Sequence, residues 1–346
     1  MKEFKIGHRI IGQEHPCYII AEIGLNHNGK EGLAIKMVEE AAKAGADAVK
    51  LSRLDAHFLL AKTKDYETNH SEAISGEKDY SQKLELTYET IDKVAQLCKK
   101  LDIAFLSTPS DNEDVNFLMK IGIPAIKIAS GDLTNDPLLR CAAIQKIPII
   151  LSTGMSSLDE VRQAVSILLE SGCPDLTLLH CVSEYPAKLE ELNLRVINTL
   201  VKEFDIPIGF SDHTVGIEAA PIAVAAGANI IEKHFTLNKE LPGLDHRFSV
   251  DPYELSKMIK EIRNVEIMMG MEKKNPTPTE LEFRKFGRRS IVTKCVIEAE
   301  TVITEEMLTM KRPGTGISPR DLYKVLGKKA RVRLNQDEII TWDKIH

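Results

Sequence analysis

The chain has few cysteines for its length and no pattern that pairs them. Six cysteines are spread over 346 residues, without a Cys-x-x-Cys pair and without the spacing of a zinc ribbon. This excludes a disulfide-stapled secreted scaffold and a cysteine-based zinc module. Isolated cysteines of this kind are typical of small core residues in a reducing compartment.

Other features are missing as well. The amino terminus, MKEFK, lacks the apolar segment of a signal peptide, and no apolar run is long enough to span a membrane. A net charge of -6 argues against nonspecific binding to nucleic acids. No repeat occurs at the period of a solenoid protein. We therefore expect a cytoplasmic protein whose partners are neither membranes nor nucleic acids.

Short apolar runs alternate with amphipathic stretches from residue 18 to about residue 269. The runs are apolar on both faces, as strands of a parallel sheet covered by helices require. They lie at 18–24, 48–52, 104–109, 125–130, 148–153, 176–181, 207–213 and 229–236, and helices are predicted at 33–44, 87–100, 157–170, 193–204 and 216–226. About eight βα units in roughly 250 residues predict an α/β TIM barrel. The competing doubly wound sheet often starts with a Gly-rich turn, which residues 24–29 do not match.

The pattern changes beyond the last barrel helix. The prolines and polar residues of 272–285 indicate a semi-rigid linker. Short strand-like runs with turn signals follow, and about 60 residues are marginal for a self-sufficient core, so this module should dock on its own barrel or a partner's. We predict a catalytic barrel over 1–271, a linker over 272–285 and a small domain over 286–346. An insertion at 55–83 is predicted to form a lid or partner contact, with a solvated loop as the alternative.

Polar side chains gather where the predicted strands end. In a barrel all of these ends would face one rim, where active sites are built. The residues are Glu22, Lys50, Thr108, Lys127, Ser130, Ser152, Tyr185, Ser211, His213 and His234. Lysines inside buried strands are costly unless a negative charge meets them, and nearby serines can add neutral donors. We therefore expect an anionic substrate that carries a phosphate.

Two of these residues suggest a metal site. His213 and His234 end two strands that are joined by one predicted helix, and such strands are normally neighbours in a parallel sheet. Both imidazoles would then point into one mouth and form half of a metal site. Two unrelated polar histidines are the alternative on this pair alone. His27 and His246 lie past the strand ends, where we expect them to form loop hydrogen bonds.

Several long motifs, in order, resemble those of the sialic acid synthases, bacterial enzymes that condense phosphoenolpyruvate with an N-acylated hexosamine. The motifs are AEIGLNHNG at 21–29, LSTP at 106–109, LSTGM at 151–155, FSDHT at 210–214, IEKHFT at 231–236 and KRPGTGIS at 311–318. The resemblance covers nearly the whole chain. It implies a TIM barrel followed by a small antifreeze-like (SAF) domain. It also implies a domain-swapped homodimer in which each small domain caps the other chain's barrel.

The resemblance further implies a role for each site residue. His213 and His234 would bind a divalent metal, Mn²⁺ or Mg²⁺. The catalytic residues would be Glu22, Lys50, Lys127 and Asp245, and phosphoenolpyruvate would be held by Lys50, Thr108, Lys127, Ser130, Ser152 and Ser211. The sugar would contact Glu22, Asp132, Tyr185, Asp245 and Arg312, the last of these reaching across the dimer to the N-acyl group.

Three departures from the family pattern lie at or near positions that are expected to contact the acceptor sugar. Ser52 stands where the family usually has glutamine, Asp132 where it often has glutamate, and Ser183-Glu184 where some members have asparagine before the site tyrosine. They leave the acceptor open between N-acetylmannosamine, its 6-phosphate and diacetamido-trideoxyhexoses. Condensation of phosphoenolpyruvate onto another phosphorylated sugar and a degenerate carbohydrate-binding protein are the alternative functions.

Overall fold

The computed structural model describes residues 2–52 and 84–346, which form two compact units, Met1–Gly270 and Met271–His346. The predicted lid at 55–83 lies outside the described residues. The first unit opens with an antiparallel hairpin of strands β1 (Phe4–Ile6) and β2 (Arg9–Ile11). The sequence patterns did not predict this hairpin, because both strands are only three residues long.

Eight parallel strands follow the hairpin and form a nearly closed barrel. They are β3 (Tyr18–Gly24), β4 (Ala48–Ser52), β5 (Ala104–Thr108), β6 (Ile126–Ile128), β7 (Ile149–Ser152), β8 (Leu176–Cys181), β9 (Ile208–Asp212) and β10 (Ile230–His234). Their hydrogen-bonded order is β5-β4-β3-β10-β9-β8-β7-β6, so the first and last barrel strands pair and the seam lies between β5 and β6. The predicted TIM-type barrel is confirmed.

Helices pack around the barrel through buried apolar residues. They are α1 (Glu31–Ala44), α2 (Tyr88–Lys100), α3 (Asn112–Ile121), α4 (Asp136–Ala143), α5 (Leu158–Glu170), α6 (Val196–Glu203), α7 (Ala219–Ala225) and α8 (Pro252–Met269). Helix α5 starts where the sequence predicts, because Ser157 and Glu160 form a reciprocal capping box. None of the helices in the described ranges is long and apolar enough to cross a membrane.

The barrel interior has two layers. Successive side chains of a strand point to opposite faces, so residues two apart share the inner face. The first layer is apolar and packs against Phe4, Ile6 and Ile11 of the hairpin; it consists of Ile20, Ala48, Leu106, Ala125, Ile150, Leu179 and Ile230. Two residues later along each strand come Glu22, Lys50, Thr108, Lys127, Ser152, Cys181 and Glu232, which line a cavity. The hairpin thus closes the amino-terminal end, and the polar layer opens at the carboxyl-terminal end.

The second unit has its own core around Ile291, Ile303 and Ile340. Its elements are α9 (Pro278–Gly287), β11 (Ser290–Thr293), β12 (Leu308–Lys311) and α10 (Leu322–Val325). The runs at 302–304, 330–334 and 338–341, which resembled strands in the sequence, contribute isolated bridges instead. Helix α9 begins inside the segment predicted as a linker, because Thr277 caps it and Pro278 occupies its first turn.

Candidate active site

The carboxyl ends of the barrel strands surround a cavity of about 470 Å³, a size typical of small-molecule sites. Every site residue predicted within the barrel lines this cavity: Glu22, Lys50, Thr108, Lys127, Ser130, Asp132, Ser152, Tyr185, Ser211, His213, His234 and Asp245. The structure therefore brings these side chains together at one end of the barrel. Their individual roles stay predictions.

Lys50 lies between two buried carboxylates on the cavity floor. Its Nζ is 3.0 Å from Glu22 Oε2 and 3.2 Å from Glu232 Oε2. Burial by itself lowers the pKa of Lys50, but the two carboxylates outweigh burial and raise the pKa above its ordinary value. Lys50 is therefore a permanent cation in this cavity.

Glu232 links the two lysines of the floor. It accepts a hydrogen bond of 2.9 Å from Ser211 Oγ, and the same carboxylate oxygen is 3.8 Å from Lys127 Nζ. Burial favours the neutral form of Glu232, but Lys127 and Lys50 prevail and lower its pKa to about 2. Glu232 is thus an ionised carboxylate that positions both ammonium groups.

Lys127 lies farther from a carboxylate than Lys50 does, so its ion pairing is weaker. Its Nζ donates to Ser152 Oγ at 2.6 Å and to the Ile128 carbonyl at 3.0 Å. Burial lowers the pKa of Lys127 to about 8, although Glu232 opposes this shift. The ammonium group is almost fully buried, so an anion that enters the cavity would gain a charge-assisted hydrogen bond from it.

Glu22 is the carboxyl group of the floor that titrates near neutrality. Burial raises the pKa of Glu22 to about 7, and Lys50 limits the rise. Ser52 Oγ donates a 3.0 Å hydrogen bond to Glu22 Oε1, so the serine that replaces the family's usual glutamine helps to orient this carboxyl. A carboxyl group with such a pKa is suited to accept a proton at physiological pH.

A small polar cradle surrounds Gly154. The Gly154 N–H donates to Ser130 Oγ at 3.0 Å, and Ser130 Oγ is 3.1 Å from Cys181 Sγ. A Cβ at position 154 would collide with the Ser183 hydroxyl and come within 2.9 Å of both Ser130 Oγ and Cys181 Sγ. Only glycine fits here, and the Ser130 hydroxyl, which lines the cavity, can hold a phosphate oxygen.

The rings of His213 and His234 lie next to each other in an edge-to-face arrangement, with centroids 5.5 Å apart. Burial lowers the pKa of both imidazoles, so both are neutral. His213 Nδ1 lies 2.7 Å from the Val182 carbonyl, which can only accept, so Nδ1 carries the proton and Nε2 keeps a lone pair. His234 Nδ1 is buried without a hydrogen-bond partner among the described residues.

This donor set fits a divalent ion held by two imidazoles. A buried ring nitrogen without a hydrogen-bond partner is costly, and coordination would satisfy it. Residues 2–52 and 84–346 do not bring three or more His, Cys, Asp or Glu side chains together as a metal site. Alongside the described side chains, oxygen atoms of substrate or water would fill the remaining coordination positions.

Three further residues lie around the two histidines and the cavity rim. The ring of Tyr185 packs on His213 with centroids 4.2 Å apart and is half exposed. Asp245 Oδ2 is 3.8 Å from His234 Nδ1, and burial raises the pKa of Asp245 to about 6. Asp132 lines the same cavity. These polar groups are placed where a second substrate could contact them.

Arg312 belongs to the carboxyl-terminal unit, and its role across a dimer stays a prediction.

The side chains of His27 and His246, which were expected to form hydrogen bonds within loops, do so in the structure. His27 Nδ1 accepts from the Gly29 N–H at 3.1 Å, and His246 Nδ1 lies 2.7 Å from Thr236 Oγ1.

Among the residues that line the cavity, sequence reasoning missed Cys181 and Glu232. A signal for Glu232 was present, since it is a carboxylate inside an apolar strand, two residues before His234 and therefore on the same face. Ser183 also lines the cavity, and the sequence had singled it out as a departure from the family pattern close to Tyr185.

Comparison with known proteins gives two family matches. Residues 37–274 match the model of the NeuB family, and residues 288–346 match that of the SAF domain. An uncharacterized protein of Methanocaldococcus jannaschii is 43% identical over 99% of this chain and 98% of its own length. N,N'-diacetyllegionaminic acid synthase of Legionella pneumophila is 39% identical over 96% of each chain.

A solved structure is also similar. The N-acetylneuraminic acid synthetase of Leptospira borgpetersenii, in complex with citrate, is 37% identical, with a TM-score of 0.74 over 82% of this chain and 96% of that one. The family predicted from the motifs is confirmed. This chain belongs to the NeuB family and carries a carboxyl-terminal SAF domain.

Proposed function

We propose that this chain condenses phosphoenolpyruvate with an N-acylated hexosamine, giving a nonulosonic acid and inorganic phosphate. The observation that carries the proposal is one cavity in which a floor of lysines and serines lies beside two adjacent imidazoles. The relative named N,N'-diacetyllegionaminic acid synthase supports a product of this class.

The floor supplies what phosphoenolpyruvate needs. Its phosphate and carboxylate are both anionic, and the cavity offers Lys50 and Lys127 as cations. Ser152 already accepts from Lys127, and Ser130, which lines the cavity and accepts from the Gly154 N–H, can donate its hydroxyl to a phosphate oxygen. The lysines act as electrostatic clamps rather than as nucleophiles.

The reaction forms one carbon–carbon bond and one carbon–oxygen bond to water, and it breaks the carbon–oxygen bond to phosphate. The alkene carbon of phosphoenolpyruvate attacks the aldehyde carbon of the open-chain sugar, which leaves a cationic carbon at C2. Water adds to C2 while Glu22, whose pKa burial raises to about 7, takes the proton. One water proton balances the alkoxide formed from the aldehyde oxygen, and the tetrahedral adduct then expels phosphate by C–O cleavage, with the proton of the C2 hydroxyl leaving on the phosphate.

His213 and His234 would hold Mn²⁺ or Mg²⁺, which when bound supplies Lewis-acid polarisation of the aldehyde oxygen. Tyr185 packs on His213 and limits the positions of that ring. Asp245 and Asp132 would accept hydrogen bonds from sugar hydroxyls. In a domain-swapped homodimer, Arg312 of one protomer would reach the sugar's N-acyl group in its partner's site.

The test is a phosphate-release assay with a panel of N-acylhexosamines. We expect release only when phosphoenolpyruvate, a sugar and a divalent metal are all present, with one nine-carbon keto acid formed per phosphate by mass spectrometry. Release that does not need the sugar, or no release across the panel, would contradict the proposal.

A further inference from the structure

A buried ion pair lies directly behind the two histidines of the candidate site. Asp212 and Lys233 each precede one of these histidines, and they are direct partners in the register of β9 and β10. Lys233 Nζ is 2.9 Å from Asp212 Oδ2, and both side chains are fully shielded from solvent. Successive side chains of a strand point to opposite faces, so the pair lies on the face away from the cavity.

Thr214 completes the network around His213. Asp212 Oδ1 accepts hydrogen bonds from the Thr214 N–H at 2.9 Å and from the Thr214 hydroxyl at 2.7 Å. Lys233 Nζ donates to the Thr214 carbonyl at 2.6 Å. The residues before and after His213 are therefore tied to each other, and the backbone turn that carries this imidazole is closed by its neighbours' side chains.

The network begins where the backbone pairing of the two strands ends. The register of β9 and β10 runs as far as Asp212 and Lys233, one residue before each histidine. The backbone ladder between these strands therefore does not fix His213 against His234. The hydrogen bond from Lys233 Nζ to the Thr214 carbonyl joins the two strands beyond that point.

Stability alone does not account for a charged pair in this position. Burying two charges costs desolvation energy that their attraction offsets only in part, and apolar residues of similar volume are often at least as stable. A well-ordered connection behind two ligand side chains instead controls how those side chains are presented.

We propose that Asp212, Lys233 and Thr214 are positioning residues that hold the two imidazoles in the arrangement that binds a divalent ion. The proposal rests on the metal role given to His213 and His234 in the proposed function. The three residues act through the backbone of β9 and β10 and do not line the cavity. Loss of the network should therefore weaken metal binding without unfolding the barrel.

The experiment measures Mn²⁺ binding to the metal-free, full-length protein by calorimetry, in the absence of substrates. The double variant Asp212→Asn with Lys233→Met removes both charges and keeps the side-chain volumes nearly constant. We expect its Kd for Mn²⁺ to rise by about tenfold or more. Its melting temperature should stay within about 5 °C of that of the unaltered protein. Lys233→Met alone leaves Asp212 buried and unpaired, so it should melt at a lower temperature than the double variant.

Thr214 offers a milder pair of variants, which decides the question if the double variant does not fold. Thr214→Val removes the hydroxyl that donates to Asp212 and keeps the branched shape of the side chain. It should weaken Mn²⁺ binding by about threefold, the effect of one hydrogen bond. Thr214→Ser keeps the hydroxyl and should restore the affinity.

The matched control lies at the amino-terminal end of the barrel. Asp47 is buried there, and its Oδ1 is 3.0 Å from Arg9 Nε. Asp47→Asn with Arg9→Met removes this ion pair by the same kind of substitution. It should leave the Kd for Mn²⁺ unchanged, because the pair is remote from the two histidines.

The outcomes separate this inference from the proposed function. Folded network variants that bind Mn²⁺ as tightly as the unaltered protein would overturn the inference, as would an equal loss of affinity in the control. No Mn²⁺ binding by the unaltered protein would contradict the proposed metal role, and the inference would fall with it. Weaker binding in the network variants supports the inference even without phosphate release, and then only the condensation reaction is contradicted.

Discussion

The two inner layers of the barrel are built by the same strands and have opposite character. Ile150 and Ile230 are fully buried and pack with the amino-terminal hairpin. Two residues further along, Ser152 and Glu232 line the cavity and contact lysine ammonium groups. One step of the strand periodicity thus separates an apolar layer of the core from a charged layer that lines the candidate site.

This difference explains how the polar layer is tolerated. Buried charges are costly unless they are paired. Here Lys50 of β4 and Glu232 of β10, the two strands on either side of β3, form an ion pair. The apolar layer and the surrounding helices supply the hydrophobic burial that holds the strands in register. Substitutions in the two layers should therefore separate stability from activity.

The largest effect is expected from His234→Ala. Loss of one of two imidazoles should abolish metal-dependent turnover, by about a thousandfold or more, because a Lewis acid supplies several kcal/mol of transition-state stabilisation. Phosphate release is measured over a range of Mn²⁺ and Mg²⁺ concentrations, with a thermal melt to show that the fold persists. Undiminished turnover would remove the metal role.

Lys127→Met should lower kcat/KM for phosphoenolpyruvate by about a hundredfold, because it removes a charged donor of the floor. Initial rates at limiting phosphoenolpyruvate measure this loss. A folded variant with ordinary efficiency would show that the anion binds elsewhere.

The matched control lies in the apolar layer. Ile150→Ala is two residues before Ser152, the partner of Lys127, and should lower the free energy of unfolding by about 2–5 kcal/mol as a cavity-forming substitution. Its kcat/KM, measured below the melting transition, should stay near that of the unaltered protein. Similar kinetic losses in both variants would mean that the layers are not functionally distinct.

The pH dependence of kcat/KM should show a smaller effect, which comes from the titration of Lys127. Burial lowers the pKa of Lys127 to about 8, so the ammonium is present below pH 8 and is lost as the pH rises above it. We expect kcat/KM for phosphoenolpyruvate to fall on the alkaline side of about pH 8, by up to about tenfold per pH unit. Lys127→Arg, which stays charged, should move this limb upward; an unmoved limb would assign it to another group.

Ser52→Ala should have the smallest effect. It removes the hydrogen bond from Ser52 Oγ to Glu22, which is worth about 1 kcal/mol, or roughly fivefold in kcat. Ser52→Thr keeps the hydroxyl and should restore most of the rate. A rate that does not respond to either substitution would show that Glu22 needs no such orientation.

Much of the barrel and its mouth was predictable from the sequence. The apolar runs at 18–24 and 48–52 match β3 and β4 residue for residue, because both faces of a covered parallel strand are buried. The polar residues that end the strands converge because all parallel strands point the same way. The resemblance to the family motifs then indicated which role to expect for each of these residues.

Other features of the fold and the site could not be predicted from the sequence. The hairpin strands β1 and β2 are too short for an alternation to be significant, and their burial depends on docking into the barrel floor. Helix α9 carried its signal in Thr277, Pro278 and Glu280, but prolines in a polar segment suggested a linker more strongly than a helix start. The pKa of Glu22 depends on burial and on Lys50, which only the folded chain provides.

A crystal structure with phosphoenolpyruvate and Mn²⁺ tests the central claim most directly. The phosphate oxygens are predicted to lie about 3 Å from Lys127 Nζ and Ser130 Oγ, with the metal on His213 and His234. Phosphoenolpyruvate bound away from the two lysines, or a metal bound away from the two imidazoles, would contradict it.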